Sequence, residues 1–446
     1  MTDPSARPSF VQDLLAKDTR AVPGALRTDP RRDLGLAGVP RERYTSKEYA
    51  DLEARELWPK VWQMACREEQ IPNVGDRVVY EVAGMSYVVL RAEGIIHAFV
   101  NSCLHRGTQL VSEDGNAQAL RCPFHGFTWS LEGELTLVPC EWDFPHVDPA
   151  EWSLPEAQVD TWRGFVFINP DPAAGSLTEY LGGLVAHFEP WPLEDRYLIA
   201  NAAMVVDCNW KVAMEAFLEA FHTWVVHPQL LKSSGDTQTQ YDVFEGQPHW
   251  SRMITPVGIS SEHIRRDMSE QDIVYAMAMA RDDPRAIVPE GGTARALLAD
   301  RVRENLTERS GHDWSHISDS EALDGIEYFV FPNFVPWAGF TTPLVYRFRP
   351  LDAPNRSLLE IMALEPVPAT GPRPAPAPQR LLGPGEGFGD VPEFGVLGKI
   401  LDQDLSNFAR IQRGLEASAG PDVTFSRYQE VRLRHFHQVL GDYVGR

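Results

Sequence analysis

The apolar positions along this chain change period near residue 170, and that change predicts two folded domains behind a loose arm. Residues 1–44 are rich in Pro and Arg and carry no period, so a flexible N-terminal arm is expected there. Thr45 and Glu48 have the T-x-x-E spacing of a capping box, predicting a helix that runs toward Leu57 and stops before Pro59. Between about 60 and 170 the text is strand-like. Val78–Val82 and Ser86–Leu90 flank an Ala83-Gly84 turn, Ile95–Val100 follows, and Gly164–Ile168 closes the unit. A small antiparallel β domain over 45–170 is the natural reading.

Beyond 170 the period lengthens. Trp210, Ala213, Phe217, Phe221 and Trp224 fall at helical spacing, predicting one long helix from Asn209 to His227. Residues 260 to 320 are polar and partly helical by pattern. Strands are expected at Ile326–Phe331, Leu344–Arg349 and Leu358–Leu364, a Pro- and Gly-rich surface loop at 366 to 392, and a last helix from Val396 to Leu415. No internal repeat is visible. The second domain is thus placed at 171–446.

Composition narrows the function. Apolar content of 43% and charged content of 23% are those of a globular protein. A net charge of −22 argues against nucleic acid and anionic membrane surfaces as partners. No apolar run is long enough to span a membrane, and the first residues lack the apolar core of a secretory signal. Five scattered cysteines suit a reducing cytoplasm, where thiols remain available to metal.

Two of those cysteines sit in the most informative stretch. Cys103-Leu-His105-Arg-Gly107 is answered by Cys122-Pro-Phe-His125-Gly126, so each half offers one thiolate and one imidazole. Two sulfur and two nitrogen donors suit a tetrahedral zinc or a two-iron, two-sulfur cluster with histidine on one iron. Zinc knuckles usually pair like with like, whereas each loop here mixes the two donors, which favours the cluster.

A cluster of this kind handles single electrons, and a second constellation is placed to use them. Glu219-Ala-Phe-His222-Thr-Trp-Val-Val-His227-Pro228 supplies two histidines, and a carboxylate from elsewhere would complete the facial triad of a non-haem iron(II) site. Residues five apart lie about 140° around an ideal helix, so the helix must bulge or end between His222 and His227; Pro228 favours an end. Taken alone, the pair reads equally well as a buried helix histidine and a C-terminal cap. In the last helix Leu401, Phe408, Ile411 and Leu415 mark an apolar stripe on which Asp404 falls. A carboxylate facing a core needs a cation, so Asp404 is preferred as third ligand over Asp402, which points toward a polar face. An ion pair with an arginine is the alternative for Asp404. Glu219 stands one turn before His222, suited to bond a ligand histidine; a solvent-facing glutamate is its plainer reading.

These residues together resemble the oxygenase (alpha) subunits of Rieske non-haem iron oxygenases of the ring-hydroxylating type. The likeness runs in order through Cys103/His105, Cys122/His125, Asn209-Trp210-Lys211, Glu219/His222/His227 and Asp404, and covers about 45 to 440. It implies an α+β protein: a small antiparallel β Rieske [2Fe-2S] domain joined to a helix-grip (START-like) catalytic domain with a long antiparallel sheet and flanking helices. It implies Cys103, His105, Cys122 and His125 on the cluster, and His222, His227 and Asp404 on a mononuclear Fe(II). It makes Glu219 an inter-subunit electron bridge from the partner subunit's His125 to His222, hence a homotrimer, alone or as a dimer of trimers. Dihydroxylating members usually carry Asp there, so Glu219 leaves open mono- or dihydroxylation or oxidative demethylation. Respiratory relatives brace their loops with a disulfide; the matching positions here are Thr108 and Phe124.

O2 is then the co-substrate. No G-x-G-x-x-G occurs at a strand-to-helix turn, so NAD(P)H is expected to act only through a separate reductase, with or without a ferredoxin. Leu218, Trp224, Phe334, Trp337 and Phe340 are candidate walls of an apolar pocket for a hydrophobic aromatic or alicyclic substrate. A quaternary amine caged by Trp and Tyr is the second reading of the substrate. Rival functions are a non-catalytic [2Fe-2S] electron-transfer protein and a zinc-stapled binding module.

Overall fold

A computed structural model describes residues 10–277 and 283–445. The expected arm therefore lies partly outside the described residues, over 1–9. The contacts divide the chain into a small unit, residues 50–180 with 350–352, and a large unit built from the remainder, so the divisions fall at 49 and 180 rather than at 44 and 170.

The small unit is antiparallel β, as its period-2 stretches predict. Strands β1 (Gln63–Arg67), β2 (Asp76–Val82), β3 (Met85–Arg91), β4 (Ile96–Val100), β5 (Gln158–Trp162) and β6 (Phe165–Asn169) form two sheets, ordered β5-β6-β1 and β4-β3-β2 followed by a short strand at Gly115–Asn116. The turn between β2 and β3 has both Ala83 and Gly84 at positive φ (48° and 81°), the twist a tight hairpin needs. A third, three-stranded sheet of very short strands lies within residues 120 to 137. Val88, Leu90, Phe99, Phe127 and Trp129 make the core, and Cys103 and Cys122 are buried in it.

The large unit is organised on an eight-stranded sheet. Its strands are β7 (Arg196–Val206), β8 (Gln240–Asp242), β9 (Trp250–Thr255), β10 (Gly325–Val330), β11 (Phe334–Ala338), β12 (Leu344–Pro350) and β13 (Ser357–Pro366). They lie in the order β8-β9-β10-β11-β12-β13-β7, and Arg380–Leu381 adds a parallel edge beyond β7. Its helices include α1 (Trp210–Glu215), α2 (Thr223–Val226), α3 (Ala294–Ser310), α4 (Gly395–Ala417) and α5 (Val431–Val444), with shorter ones such as Glu270–Ala276 and Asp319–Leu323. Helix α5 packs on the sheet through Phe436, whose ring lies 5.8 Å from those of both Phe329 and Phe331.

Several expectations need correction. The segment read as a flexible arm is ordered from residue 10: Val11, Leu15, Leu26 and Tyr44 are buried in the large unit. Gln12 bonds Gln240 of β8, and Asp18 accepts from the backbone of Ser320. These apolar residues show no period because the elements that hold the segment are remote in sequence: Gln240 on β8, Ser320, and for Tyr44 Glu215 on α1 and His437 on α5. Ser46, not Thr45, caps the helix Lys47–Glu56, accepting from Tyr49 N at 3.1 Å; the Thr45 hydroxyl is spent on Arg41 O in the preceding turn. The long helix expected from Asn209 to His227 is two short ones, α1 and α2, separated by residues 216–222. On α4 the buried stripe is Gly398, Leu401, Asp404, Phe408 and Gln412, while Ile411 is exposed. Gly398 permits a close crossing, since a Cβ there would stand 2.5 Å from Phe388 O. Among the described residues no helix is long and apolar enough to cross a membrane.

Candidate metal centres

Two loops of the small unit have the same backbone plan. In the first, Gly107 N donates to Cys103 O and Cys103 N donates to Thr108 O; in the second, Gly126 N donates to Cys122 O and Cys122 N to Phe127 O. Gly107 and Gly126 both sit near φ +76° to +79°, the left-handed corner that closes each turn and that a side chain resists. One plan therefore carries two spacings, His105 two residues after its cysteine and His125 three. Asn101 fixes the first loop: its Oδ1 accepts from Leu110 N and Val111 N, and its Nδ2 donates to Val111 O at 2.7 Å.

The donor set converges. The rings of His105 and His125 lie 4.7 Å apart, edge to face, and the two thiols interact directly. His105 Nδ1 is buried without a hydrogen-bond partner, an orphan that a metal bond would satisfy. Burial raises the Cys103 thiol, against the N–H groups of His105 and Arg106. Burial also raises Cys122, but the N–H groups of His125 and Phe124, with the Cys103 thiol and the Thr108 hydroxyl, outweigh it and leave that thiol below its ordinary value. Backbone N–H groups aimed at sulfur are the environment a thiolate-held cluster requires. All five cysteines are free. His125 and Phe124 are exposed at the loop tip, with the Arg106 guanidinium 5.6 Å above the Phe124 ring.

In the large unit His222, His227 and Asp404 each offer a donor atom, and these atoms lie within 4.8 Å of one another. The helix geometry is solved by shortening the helix. His222 sits at the N-cap of the one-turn helix α2 and His227 at its C-cap, so the rings come to 5.2 Å. Asp404 Oδ1 is 2.9 Å from His227 Nε2 and 3.5 Å from His222 Nε2. The Nδ1 atoms face away: His222 Nδ1 donates to Glu219 Oε1 at 2.7 Å, and His227 Nδ1 to Gln403 Oε1 at 2.8 Å. Protons held on both Nδ1 atoms leave both Nε2 lone pairs turned to one point with the carboxylate. Burial lowers the pKa of His222, but Glu219 and Asp404 outweigh it and raise the group above its ordinary value. Asp404 is 6% exposed, and a carboxylate that deep calls for a cation; two imidazoles and a carboxylate converging on one point suit iron(II). Asp402 turns elsewhere and accepts from the backbone of Phe388 and Gly389.

Glu219 lies on the loop between α1 and α2, where its Oε2 also accepts from the N–H groups of Phe221 and His222. That loop is held from behind by Tyr241, whose hydroxyl accepts from Ala220 N, and by Arg432, which donates to Leu218 O. Glu219, His222 and Asp404 line a groove of about 360 Å³ together with Tyr44, Glu215, Phe408 and Ile411. Beside Glu219, the Glu215 carboxylate meets the Tyr44 hydroxyl and His437 Nε2, at 2.9 and 2.8 Å. The sequence reading missed Gln403, Tyr241, Arg432 and Glu215. Only Gln403 left a trace, as the residue beside Asp404.

The expected pocket walls do not stay together. Leu218 and Phe334 are fully buried, and Trp337 lies on β11 with its ring 6.2 Å from Tyr346. Trp224 is 51% exposed and stacks on His263 at 4.2 Å. Phe340 packs on Trp314 and under Arg196, in the core around α3. Exposure of one side of α2 and the α3 insertion separate what the sequence grouped.

Both units resemble known proteins. The ring hydroxylating alpha subunit (catalytic domain) family matches residues 185–446, and the Rieske [2Fe-2S] domain family matches residues 61–148. The glycine betaine monooxygenase oxygenase subunit of Pseudomonas aeruginosa is 32% identical over 199 residues, 44% of this chain and 46% of that protein. The anthranilate 1,2-dioxygenase large subunit of Acinetobacter baylyi is 32% identical over 209 residues, 45% of this chain and 44% of the relative. The chain thus spans about half the length of the curated relatives it matches. Among solved structures, a quaternary ammonium Rieske monooxygenase superposes with a TM-score of 0.66 at 19% identity, covering 92% of this chain and 96% of the other. Naphthalene 1,2-dioxygenase with indole bound gives a TM-score of 0.64 at 19% identity, covering 93% of each.

Proposed function

This chain belongs to the ring-hydroxylating alpha-subunit family and carries a Rieske [2Fe-2S] domain, and from that premise we propose that it is the oxygenase component of a multicomponent system. It takes electrons from an NAD(P)H-linked reductase, directly or through a ferredoxin, and uses O2 to hydroxylate or oxidatively demethylate a small organic substrate. A cluster on Cys103, His105, Cys122 and His125 would supply single electrons, and an iron(II) on His222, His227 and Asp404 would activate dioxygen. The observation that carries the reading is the orientation of the two imidazoles: Glu219 and Gln403 hold their Nδ1 atoms, so both Nε2 atoms meet Asp404.

Glu219 has a second task in this reading. It lines a surface groove with Glu215 and Glu430, while the small unit exposes His125 and Phe124 beside Arg106. The Glu219 carboxylate in the groove and the apolar tip with its Arg106 guanidinium are complementary, and docking one copy's tip in the next copy's groove puts Glu219 between His222 and His125 of the partner subunit. A homotrimer closes such a head-to-tail contact. The substrate in this reading is a hydrophobic aromatic or alicyclic compound. A quaternary amine is the second reading, favoured by Glu219 at the bridging position and by the glycine betaine monooxygenase likeness.

The test is metal analysis with reconstitution. Protein made with iron and sulfide present should be red-brown and hold about three iron atoms and two sulfides per chain. With a surrogate reductase it should consume O2 in step with product. Two iron atoms and no oxygen chemistry would leave an electron carrier; a colourless protein with one zinc would leave a binding module.

A further inference from the structure

We propose that Glu215 is the proton donor of the oxygen chemistry: its carboxylic acid, held between Tyr44 and His437, gives a proton through water in the groove to oxygen reduced at the triad. The inference rests on the reading of His222, His227 and Asp404 as the reaction centre. The reaction class sets the need. Hydroxylation of a C–H bond takes up O2, two electrons and two protons and releases water (RH + O2 + 2 e− + 2 H+ → ROH + H2O), and dihydroxylation of a ring has the same demand. The reductase supplies the electrons. Asp404 is already a buried carboxylate, and added negative charge at that depth is unfavourable unless protons follow. Four carboxyl groups line the groove of about 360 Å³: Glu215, Glu219, Asp404 and Glu430. Three are committed. Asp404 faces the two imidazoles, Glu219 accepts from His222 Nδ1 and two backbone N–H groups, and Glu430 accepts from Ser426 N. Glu215, the last residue of α1, keeps 12% of its side chain exposed, so water reaches it. The groove has room for a file of waters at about 30 Å³ each. Glu430 feels the charge of Glu219, and Glu215 feels Glu430, so these side chains lie within reach of one another beside His222.

The contacts behind Glu215 fix where its proton sits. Arg43 Nη1, which can only donate, lies 3.2 Å from His437 Nδ1, so the neutral imidazole carries its proton on Nε2. That N–H lies 2.8 Å from Glu215 Oε1 and 2.8 Å from the Tyr44 hydroxyl oxygen. The Tyr44 hydroxyl donates in turn to Glu215 Oε1 at 2.9 Å, with Oε2 at 3.2 Å. Oε1 thus takes two donors, and an acidic proton belongs on Oε2. Burial, with Arg43 and Lys211 beside it, holds His437 well below its ordinary value, so the imidazole does not take that proton. Burial pushes Glu215 up to about 8; Tyr44, Lys211 and Arg43 pull it down, and Glu430 adds to the rise. Tyr44 is driven well above its ordinary value by burial and by Glu215, and gives up no proton. At neutral pH Glu215 is an acid close to the pH at which it works, where proton transfer is most effective. After the transfer its carboxylate regains a proton from the water of the groove.

The experiment pairs two readouts on purified protein loaded with cluster and iron. Infrared spectra between about pH 6 and 10, taken as the difference between wild type and Glu215→Gln, follow the C=O stretch of a protonated carboxyl. Single turnover follows the return of the cluster's visible absorbance when reduced protein meets O2, with toluene, cyclohexane or choline present. The wild type should show one protonated carboxyl that is lost, and a rate that falls, as pH rises through about 8. Glu215→Gln should be reoxidised at least about 100-fold more slowly at neutral pH, without that pH step and with its iron content kept. Tyr44→Phe removes a donor that pulls the carboxyl down, so the infrared and rate midpoints should move up together. Absence of the difference band, a wild-type rate and pH profile in Glu215→Gln, or a rate midpoint that stays while the band moves in Tyr44→Phe overturns the proposal and leaves the oxygenase reading intact. Loss of the pH step in Glu430→Gln but not in Glu215→Gln overturns it in favour of Glu430. A wild type reoxidised no faster than Asp404→Ala removes the oxygenase reading, and the proposal with it.

Discussion

In the small unit four proposed cluster donors fall between residues 103 and 125, on two loops with the same hydrogen bonds. In the large unit three proposed iron ligands come from the two ends of a one-turn helix and from the middle of α4, with most of an eight-stranded sheet between them in sequence. The first site is shaped by turns that close on themselves through Gly107 and Gly126. The second is shaped by what presses on it: Tyr241 from β8, Arg432 from α5 and Gln403 from α4. A local site is therefore expected to depend on its own residues, and a long-range site on residues that touch neither metal nor substrate.

The strongest way to break this comparison is to remove one ligand from each site. Cys122→Ser should bleach the red-brown spectrum and abolish turnover while leaving about one iron per chain on the triad. Asp404→Ala should do the reverse, keeping the spectrum and losing the mononuclear iron and all turnover. An active Asp404→Ala enzyme would return the assignment to Asp402. Next comes the connection between the sites. Glu219→Gln should keep both metals but slow electron delivery in single-turnover reduction by about 10- to 100-fold; unchanged kinetics would remove the bridging role.

Smaller effects sharpen the contrast. Gln403→Leu frees the His227 Nδ1 and should weaken iron binding about 10-fold in chelator competition, with the cluster untouched. The cluster loops lean more on the backbone: their thiols meet N–H groups that substitution does not remove, with the Thr108 hydroxyl on Cys122 and the Asn101 side chain as the supports a substitution could take away. The smallest effect is on stability. Burial pushes the Glu215 carboxyl up to about 8, against a hydrogen bond from Tyr44 that pulls it down. A carboxyl raised in the folded state stabilises fully below its unfolded pKa, near about 4.5, and that stabilisation is lost as pH rises through about 8. The melting temperature of the large unit should therefore fall between about pH 5 and 9, and Glu215→Gln should flatten that fall. Parallel profiles for the two proteins would show that Glu215 titrates normally.

Legibility followed the same division. The cluster motif could be read because its spacing, its glycines and its donors are contiguous. The strands of the small unit could be read because one face of each is buried, so the alternation survives in the text. Strand β7 could not. Its Ala- and Asn-containing stretch has weak intrinsic preference for the extended state, and it is a strand because it pairs with β13 from Arg196 opposite Pro366 to Val206 opposite Ser357. The helix from Asn209 to His227 was overpredicted for the opposite reason: the apolar spacing continues through residues that tertiary contacts pull out of helical form.

By itself, then, the sequence determined which atoms are available for metal, that they divide into two groups, and that Asp404 rather than Asp402 shares a face with Leu401 and Phe408. Only the tertiary structure decided that α2 is a single turn, which is what brings His222 and His227 together. It also decided that Gln403 and Glu219 hold their far nitrogens, and that Trp224 is exposed on α2 while Phe340 packs in the core around α3. The physical reason is range. Ligand type and local turn geometry are written within a few residues, whereas the direction a side chain faces is set by surfaces contributed from hundreds of residues away.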